Sequence, residues 1–124
     1  MAKRRMFSVE VMESDAFCVL PSSAQMLYVH LCMNADDDGF VDKWKSILRY
    51  LKVKRSMLDM LIDTEYVIEF CDEVLLISDW RRHNVVRMDR YSEGSHRELL
   101  DTLDRQPNGR YIKAFGRFLA TQDK

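Results

Sequence analysis

The stretch DKWKSILRYLKVKRSMLDMLIDTE, Asp42 to Glu65, holds two apolar stripes at helical spacing with a run of cations between them. Trp44, Ile47, Leu48 and Leu51 fall at i, i+3, i+4 and i+7, which places them on one face of a helix. Asp42 stands where a side chain can cap that helix. Leu58, Leu61 and Ile62, with Met57 beside them, form the inner face of a second helix from about Arg55 to Glu65. Val53 is the joint. Two helices joined by so short a turn are a helix-turn-helix.

Reading outward, Ser14 to Leu20 allows one or two helical turns stopped by Pro21. Ser22-Ser23-Ala24-Gln25 has the pattern of a capping box, with the Ser22 hydroxyl as cap and Gln25 reaching back to the Ser22 amide. Ala24, Leu27, Tyr28 and Leu31 then continue a helix to about Asn34. Asp36-Asp37-Asp38-Gly39 breaks it, and Phe40-Val41 is a very short extended piece. On the other side, Tyr66 to Phe70 and Val74 to Ile77 are apolar, partly β-branched runs separated only by Cys71-Asp72-Glu73, which is hairpin spacing. Helix, short strand, helix, helix, hairpin is a mostly α, α+β arrangement of the winged helix-turn-helix kind.

Beyond Trp80 the pattern weakens. Arg81 to Tyr91 is polar and basic. Ser95-His96-Arg97-Glu98 reads as a second capping box that opens a short helix with Leu99, Leu100 and Leu103 inside. Gln106-Pro107-Asn108-Gly109 is a turn, and the spacing of Tyr111, Ile112, Phe115, Phe118 and Leu119 predicts a docking helix. The expected division is a winged-helix domain over 1–91 and a C-terminal helical extension, or the start of a linker, over 92–124.

With 124 residues, 47% of them hydrophobic and 31% charged, the chain suits one globular domain with its own core. No apolar run approaches the ~20 residues a membrane crossing needs. The start Met1-Ala2-Lys3-Arg4-Arg5 runs into charge too soon for a signal peptide. A cytoplasmic location and no membrane partner are expected. Cys18, Cys32 and Cys71 are scattered and read as small reduced core residues.

Several spaced motifs occur in order. They are Arg5-Met6-Phe7-Ser8, Ser14-Asp15-Ala16-Phe17, Gln25 to Leu31, Ala35-Asp36-Asp37-Asp38-Gly39-Phe40-Val41, Trp80-Arg81-Arg82-His83-Asn84 and Asp89-Arg90-Tyr91. Over about residues 4 to 91 the sequence resembles the N-terminal domain of phage replisome organisers, the DnaD-like replication initiation proteins. The resemblance implies a winged-helix fold, DNA binding and self-association in replication initiation. Such proteins usually continue through a flexible linker into a second, helical domain.

The residues that can carry a function are chiefly basic. Lys43, Lys45, Arg49, Lys52, Lys54 and Arg55 have no acid between them, and the apolar stripe of the first helix turns its cations to water. In a helix-turn-helix the turn and the start of the second helix meet the DNA backbone and major groove. Arg55 is placed to pair with a guanine edge and Ser56 to bond a base or phosphate. Lys54 and Arg55 lie at a helix N-terminus, where the dipole disfavours cations, which points to an external anion. Asp59, Asp63 and the short acidic Cys71-Asp72-Glu73 loop work against tight sequence reading. Arg81, Arg82, Arg87 and Arg90, with His83, form a second basic set, helped by Asn84, Tyr91 and Lys3-Arg4-Arg5. The competing reading is that Asp79, Asp89 and Glu93 pair with these arginines locally.

Other chemistry is not expected. Asp36 to Gly39 lacks the alternating ligands and terminal Glu of a calcium loop, so no metal is assigned there. His30, His83 and His96 share no ligand spacing, and His30 reads as packing. There is no nucleophile–base pair or glycine-rich phosphate loop, so no catalytic residue, cofactor or enzyme is inferred. Met60, with Met33 and Met57, reads as core filling or a protein interface.

The expected function is backbone-dominated DNA binding with homo-oligomerisation. The alternative is a protein-binding winged helix of a phage that recruits or inhibits a host protein, such as a helicase loader or a defence nuclease. A transcription regulator is a weaker third.

Overall fold

The computed structural model describes residues 5–70, 73–84 and 96–113. Two one-turn helices come first, α1 (Val9–Met12) and α2 (Asp15–Cys18), each capped by a serine hydroxyl, Ser8 and Ser14. Helix α3 (Ser22–Met33) follows, then strand β1 (Phe40–Val41), helices α4 (Trp44–Leu51) and α5 (Arg55–Asp63), strands β2 (Val67–Glu69) and β3 (Leu75–Ile77), and the short helix α6 (Trp80–His83). A 3₁₀ helix (Arg97–Thr102) leads into a hairpin of β4 (Leu103–Arg105) and β5 (Tyr111–Lys113). The chain is therefore mixed α and β, as the patterning implied, with two small antiparallel sheets where one hairpin was expected. Among the described residues no helix is long and apolar enough to cross a membrane.

The first sheet has the order β1-β3-β2, so the strand that precedes α4 returns to pair with the second arm of the hairpin. Strand periodicity then divides the core into two. Val41, Val67, Leu75 and Ile77 face the helices, where they meet Leu27, Tyr28, Leu31, Ile47, Leu58 and Leu61. Phe40, Ile68 and Leu76 face the other way and are covered by Leu103, Tyr111 and the half-buried Leu99 and Leu100. Both faces of the sheet are dry. That is why Val74 to Ile77 is continuously apolar rather than alternating.

One corner fixes the relation between the ends of this layer. Gly39, at φ +96°, lies so close to Trp80 that a Cβ there would sit 2.6 Å from the indole. The Trp80 indole N–H donates to the Asp37 carbonyl at 3.0 Å. Arg5 stacks on the same ring, 4.9 Å from its centroid, and pairs with Asp37 at 3.2 Å, both side chains almost fully buried. Removing one member of such a pair strands the other charge, at a cost of about 3–5 kcal/mol. Asp36 closes the turn by accepting the amides of Asp38 and Phe40. Burial still raises its pKa, against the pull of those amides.

Several local expectations need correction. Helix α3 begins at Ser22 itself, with Pro21 in the cap position, because the Pro21 carbonyl accepts from Ala24 and Gln25. Gln25 instead donates to the carbonyls of Leu20 and Cys18 and ties α3 to α2. Asp42 does not cap α4; its carboxylate accepts from His96 at 2.8 Å. Ser95, the expected cap of the following helix, lies outside the described residues, and Leu103 opens a strand rather than ending a helix. The predicted docking helix starts instead as β5, with Tyr111 buried under the sheet; residues 114–119 lie outside the described residues. Cys18 is exposed and Cys32 buried, while Cys71 lies outside the described residues. Helices α4 and α5, β1 and the β2–β3 hairpin are where the patterning placed them.

The core holds one titratable group with a readable consequence. His83 is buried, and its Nδ1 accepts the Ser8 amide at 2.8 Å, so its Nε2 proton faces the Tyr28 hydroxyl at 2.6 Å. Burial drives its pKa down from 6.5 to about 4; the Arg82 charge adds to this and Asp79 opposes it. Between these two values the unfolded chain binds a proton that the folded chain refuses, so stability rises with pH across this window. Thermal unfolding should show the midpoint falling as pH drops from 6.5 towards 4, with a shallower slope in His83→Gln. A midpoint with the same slope in both proteins contradicts this account.

Candidate nucleic-acid interface

The cations between Lys43 and Arg55 do not behave as one set. Trp44 anchors α4 by burying its ring and donating its indole N–H to the Glu73 carbonyl at 2.7 Å. Two cations lie over that ring, Arg55 at 4.8 Å and Lys45 at 5.4 Å from the centroid. Each also has acidic partners. Lys45 pairs with Glu73 at 2.7 Å, which lowers the Glu73 pKa through the hydrogen bond and the lysine charge. Arg55 pairs with Asp59 at 3.1 Å and Glu69 at 2.8 Å. Partial burial disfavours the Arg55 charge, but the hydrogen bonds to both carboxylates outweigh it and raise the pKa. Arg55 thus joins α4, α5 and β2, and its exposed guanidinium is already bonded to two carboxylates.

Lys43, Arg49, Lys52 and Lys54 are different. All are exposed, and none has an acidic partner within salt-bridge distance among the described residues. Lys45, Arg49 and Lys52 recur at i, i+4 and i+7 on one exposed flank of α4, beside the stripe of buried Trp44 and Ile47. Lys54 occupies the cap position of α5 with extended backbone and no side-chain cap bond. Exposed Ser56 follows it in the first turn. The amides at that helix start and the adjacent lysines face the same solvent, an arrangement that can receive anionic oxygens.

Lys52 has φ 58° and ψ 42°, the left-handed conformation usually taken by glycine. Its amide donates to Arg49 and the Val53 amide donates to Leu48, while half-buried Leu48 and Val53 pack on the core. This pair of bonds is a Schellman cap. It turns the chain into α5 within two residues and leaves the Lys52 side chain outside. A glycine would close the same turn without the Cβ strain of ~1 kcal/mol.

The other predicted contacts are placed as follows. Arg82 is half-buried and pairs with Asp79 at 3.3 Å and Glu10 at 3.4 Å, the local pairing weighed as the competing reading. Arg81 is exposed and donates to the Tyr111 hydroxyl at 2.9 Å. His83 and Asn84 are buried and serve the fold: Asn84 accepts the Met6 amide at 2.8 Å, so neither meets an external phosphate. Arg5 is likewise internal, paired to Asp37. Arg87, Arg90, Tyr91 and Lys3-Arg4 lie outside the described residues. Met60 and Met33 are exposed, while Met57 packs against the core. His30 packs edge-on against Tyr50. Among the described residues no cluster of His, Cys, Asp or Glu can hold a metal ion.

Because strain at Lys52 is local, Lys52→Gly should fold normally and gain about 0.5–1 kcal/mol in stability. Denaturant unfolding of the two proteins measures this; a loss of stability would mean that the lysine side chain has an intramolecular role. Comparison of the chain with family models, with characterised proteins and with solved structures returns no match, so the functional reading rests on this geometry.

Proposed function

We propose that this protein is a winged-helix DNA-binding protein that sets the outer side of α4 and the α4–α5 turn against the phosphate backbone. One observation carries the reading. Among the described cations from Lys43 to Arg55, those with acidic partners brace the fold, and Lys43, Arg49, Lys52 and Lys54, without such partners, share the α4 side and the turn. The order α3, β1, α4, α5, β2, β3 and the sheet order β1-β3-β2 support the winged-helix assignment. The resemblance to phage replisome organisers supports a place in replication initiation. Exposed Met26, Met33 and Tyr50, clustered on α3 and α4, support self-association.

The mode of binding follows from the charges. Asp59 and Asp63 lie on the outer side of α5, and Glu73 stands at the hairpin loop, so neither element approaches phosphates favourably. Contacts fall on the backbone, and sequence preference is weak. The same acids favour a second reading, in which the positive side of α4 docks on an acidic protein.

Neutralising about four phosphates gives a slope of about −3.6 in log K against log salt, so affinity should fall ~100-fold between 50 and 200 mM salt. Fluorescence anisotropy with duplex DNA measures this slope. Lys52→Glu with Lys54→Glu should abolish binding, whereas Arg82→Gln should change it little. Absence of binding at low salt would overturn the proposal in favour of a protein partner.

A further inference from the structure

The β2–β3 hairpin reaches α4 through Glu73. Its backbone is left-handed, at φ 66°, just before the chain enters β3. Its amide donates to the Phe70 carbonyl at 3.0 Å, and its carbonyl accepts the Trp44 indole N–H at 2.7 Å. Main-chain bonds therefore hold this residue beside the first turn of α4. Its carboxylate accepts from Lys45 Nζ at 2.7 Å.

This pair lies at the surface, with 58% of the Lys45 side chain and 66% of the Glu73 side chain exposed. Lys45 is therefore kept from an external anion by the carboxylate and not by burial. Among the described residues Glu73 is its one acidic partner, whereas Arg55 over the same ring is held by both Asp59 and Glu69. Lys45 also begins the row that continues through Arg49 and Lys52, one helical turn or about 6 Å before Arg49. A single substitution returns Lys45 to that row, while Arg55 needs two. The hydrogen bond from Lys45, and then its charge, lower the Glu73 pKa, so the carboxylate is ionised at neutral pH.

We propose that Glu73 is an autoinhibitory residue, which occupies Lys45 in place of a DNA phosphate and holds the affinity of the α4 flank below what its cations allow. This rests on the DNA-binding reading of the same flank. The carboxylate is tethered, so it competes for Lys45 without the cost of association that a phosphate in solution bears. A phosphate that approaches Lys45 meets the Glu73 charge as well, and the repulsion offsets the attraction. Removing the carboxylate adds a fifth phosphate contact, continuous with Arg49 and Lys52.

Fluorescence anisotropy with the intact chain and duplex DNA at 50 and 200 mM salt tests this. Glu73→Gln should bind about tenfold more tightly at 50 mM, with the slope steepening from about −3.6 to about −4.5. Lys45→Gln should cost about tenfold in the Glu73→Gln background and about twofold in the wild type, a coupling that a general change of net charge does not produce. Glu65→Gln removes an equal exposed charge beyond the far end of α5 and should leave the slope unchanged. The exposed pair contributes little to stability and the Trp44 bond goes to the main chain, so the unfolding midpoint of Glu73→Gln should match the wild type. Glu73→Gly also removes the carboxylate, suits the positive φ, and should give the same steeper slope. Binding by the wild type with no change of slope in either Glu73 variant, or an equal cost of Lys45→Gln in both backgrounds, would overturn this inference and leave the DNA reading standing. Absence of binding in the wild type and in both Glu73 variants would overturn the two together.

Discussion

Trp80 seated on Gly39 is the contact on which the rest of the arrangement depends. The ring closes over a backbone that no side chain can occupy, Arg5 stacks on it, and Asp37 both pairs with Arg5 and accepts the indole N–H. The Gly39 carbonyl meanwhile accepts the Ile77 amide at 3.0 Å, so the entry to β1 is fixed to the exit of β3. Helix α4 starts only three residues after β1 ends, and its own Trp44 is bonded to the hairpin at Glu73. Two tryptophans thus hold α4 from both ends of the sheet. The cations on its outer side inherit a fixed position from this packing.

Charge on this chain is divided by partnership rather than by sequence. Arg5, Lys45, Arg55, Arg82 and Arg110 each meet a carboxylate, and several also stack on aromatic rings. They brace elements against one another. The cations at the α4–α5 turn have no such duty, and the turn itself is built on a strained Lys52 where glycine is the easier residue. The far end of α5 repeats the device with opposite sign. Glu65, at φ 66°, precedes Tyr66, whose amide donates to Leu61, and the carboxylates of Asp63 and Glu65 face outward. One helix therefore has a positive approach at its start and exposed carboxylates at its end.

Much of the helical layer was legible because burial imposes period. Trp44, Ile47, Leu48 and Leu51, and Leu58, Leu61 and Ile62, could sit together only on helices. The helix ends were harder to read: Lys52 and Glu65 take positions that glycine usually marks, and Ser22 and Asp42 look like caps but are not. The β4–β5 hairpin was missed because Tyr111 and Ile112, read with Phe115 and Phe118, imitate helical spacing, although Gly109 at φ 96° marks the turn. The division of the cations could not be read at all. Lys45 meets Glu73 28 positions away, and Arg55 meets Glu69 14 away, contacts that only the folded chain creates.

The central claim is that unpartnered charge, rather than the outer side of α5, makes first contact with nucleic acid. The direct measurement is an NMR titration of the labelled chain with a duplex of arbitrary sequence at low salt. The account predicts shifts concentrated at Lys43, Arg49, Lys52, Lys54 and Ser56, with Asp59, Asp63 and Glu73 little changed. Shifts centred on Asp59 to Asp63, with α4 silent, would contradict it.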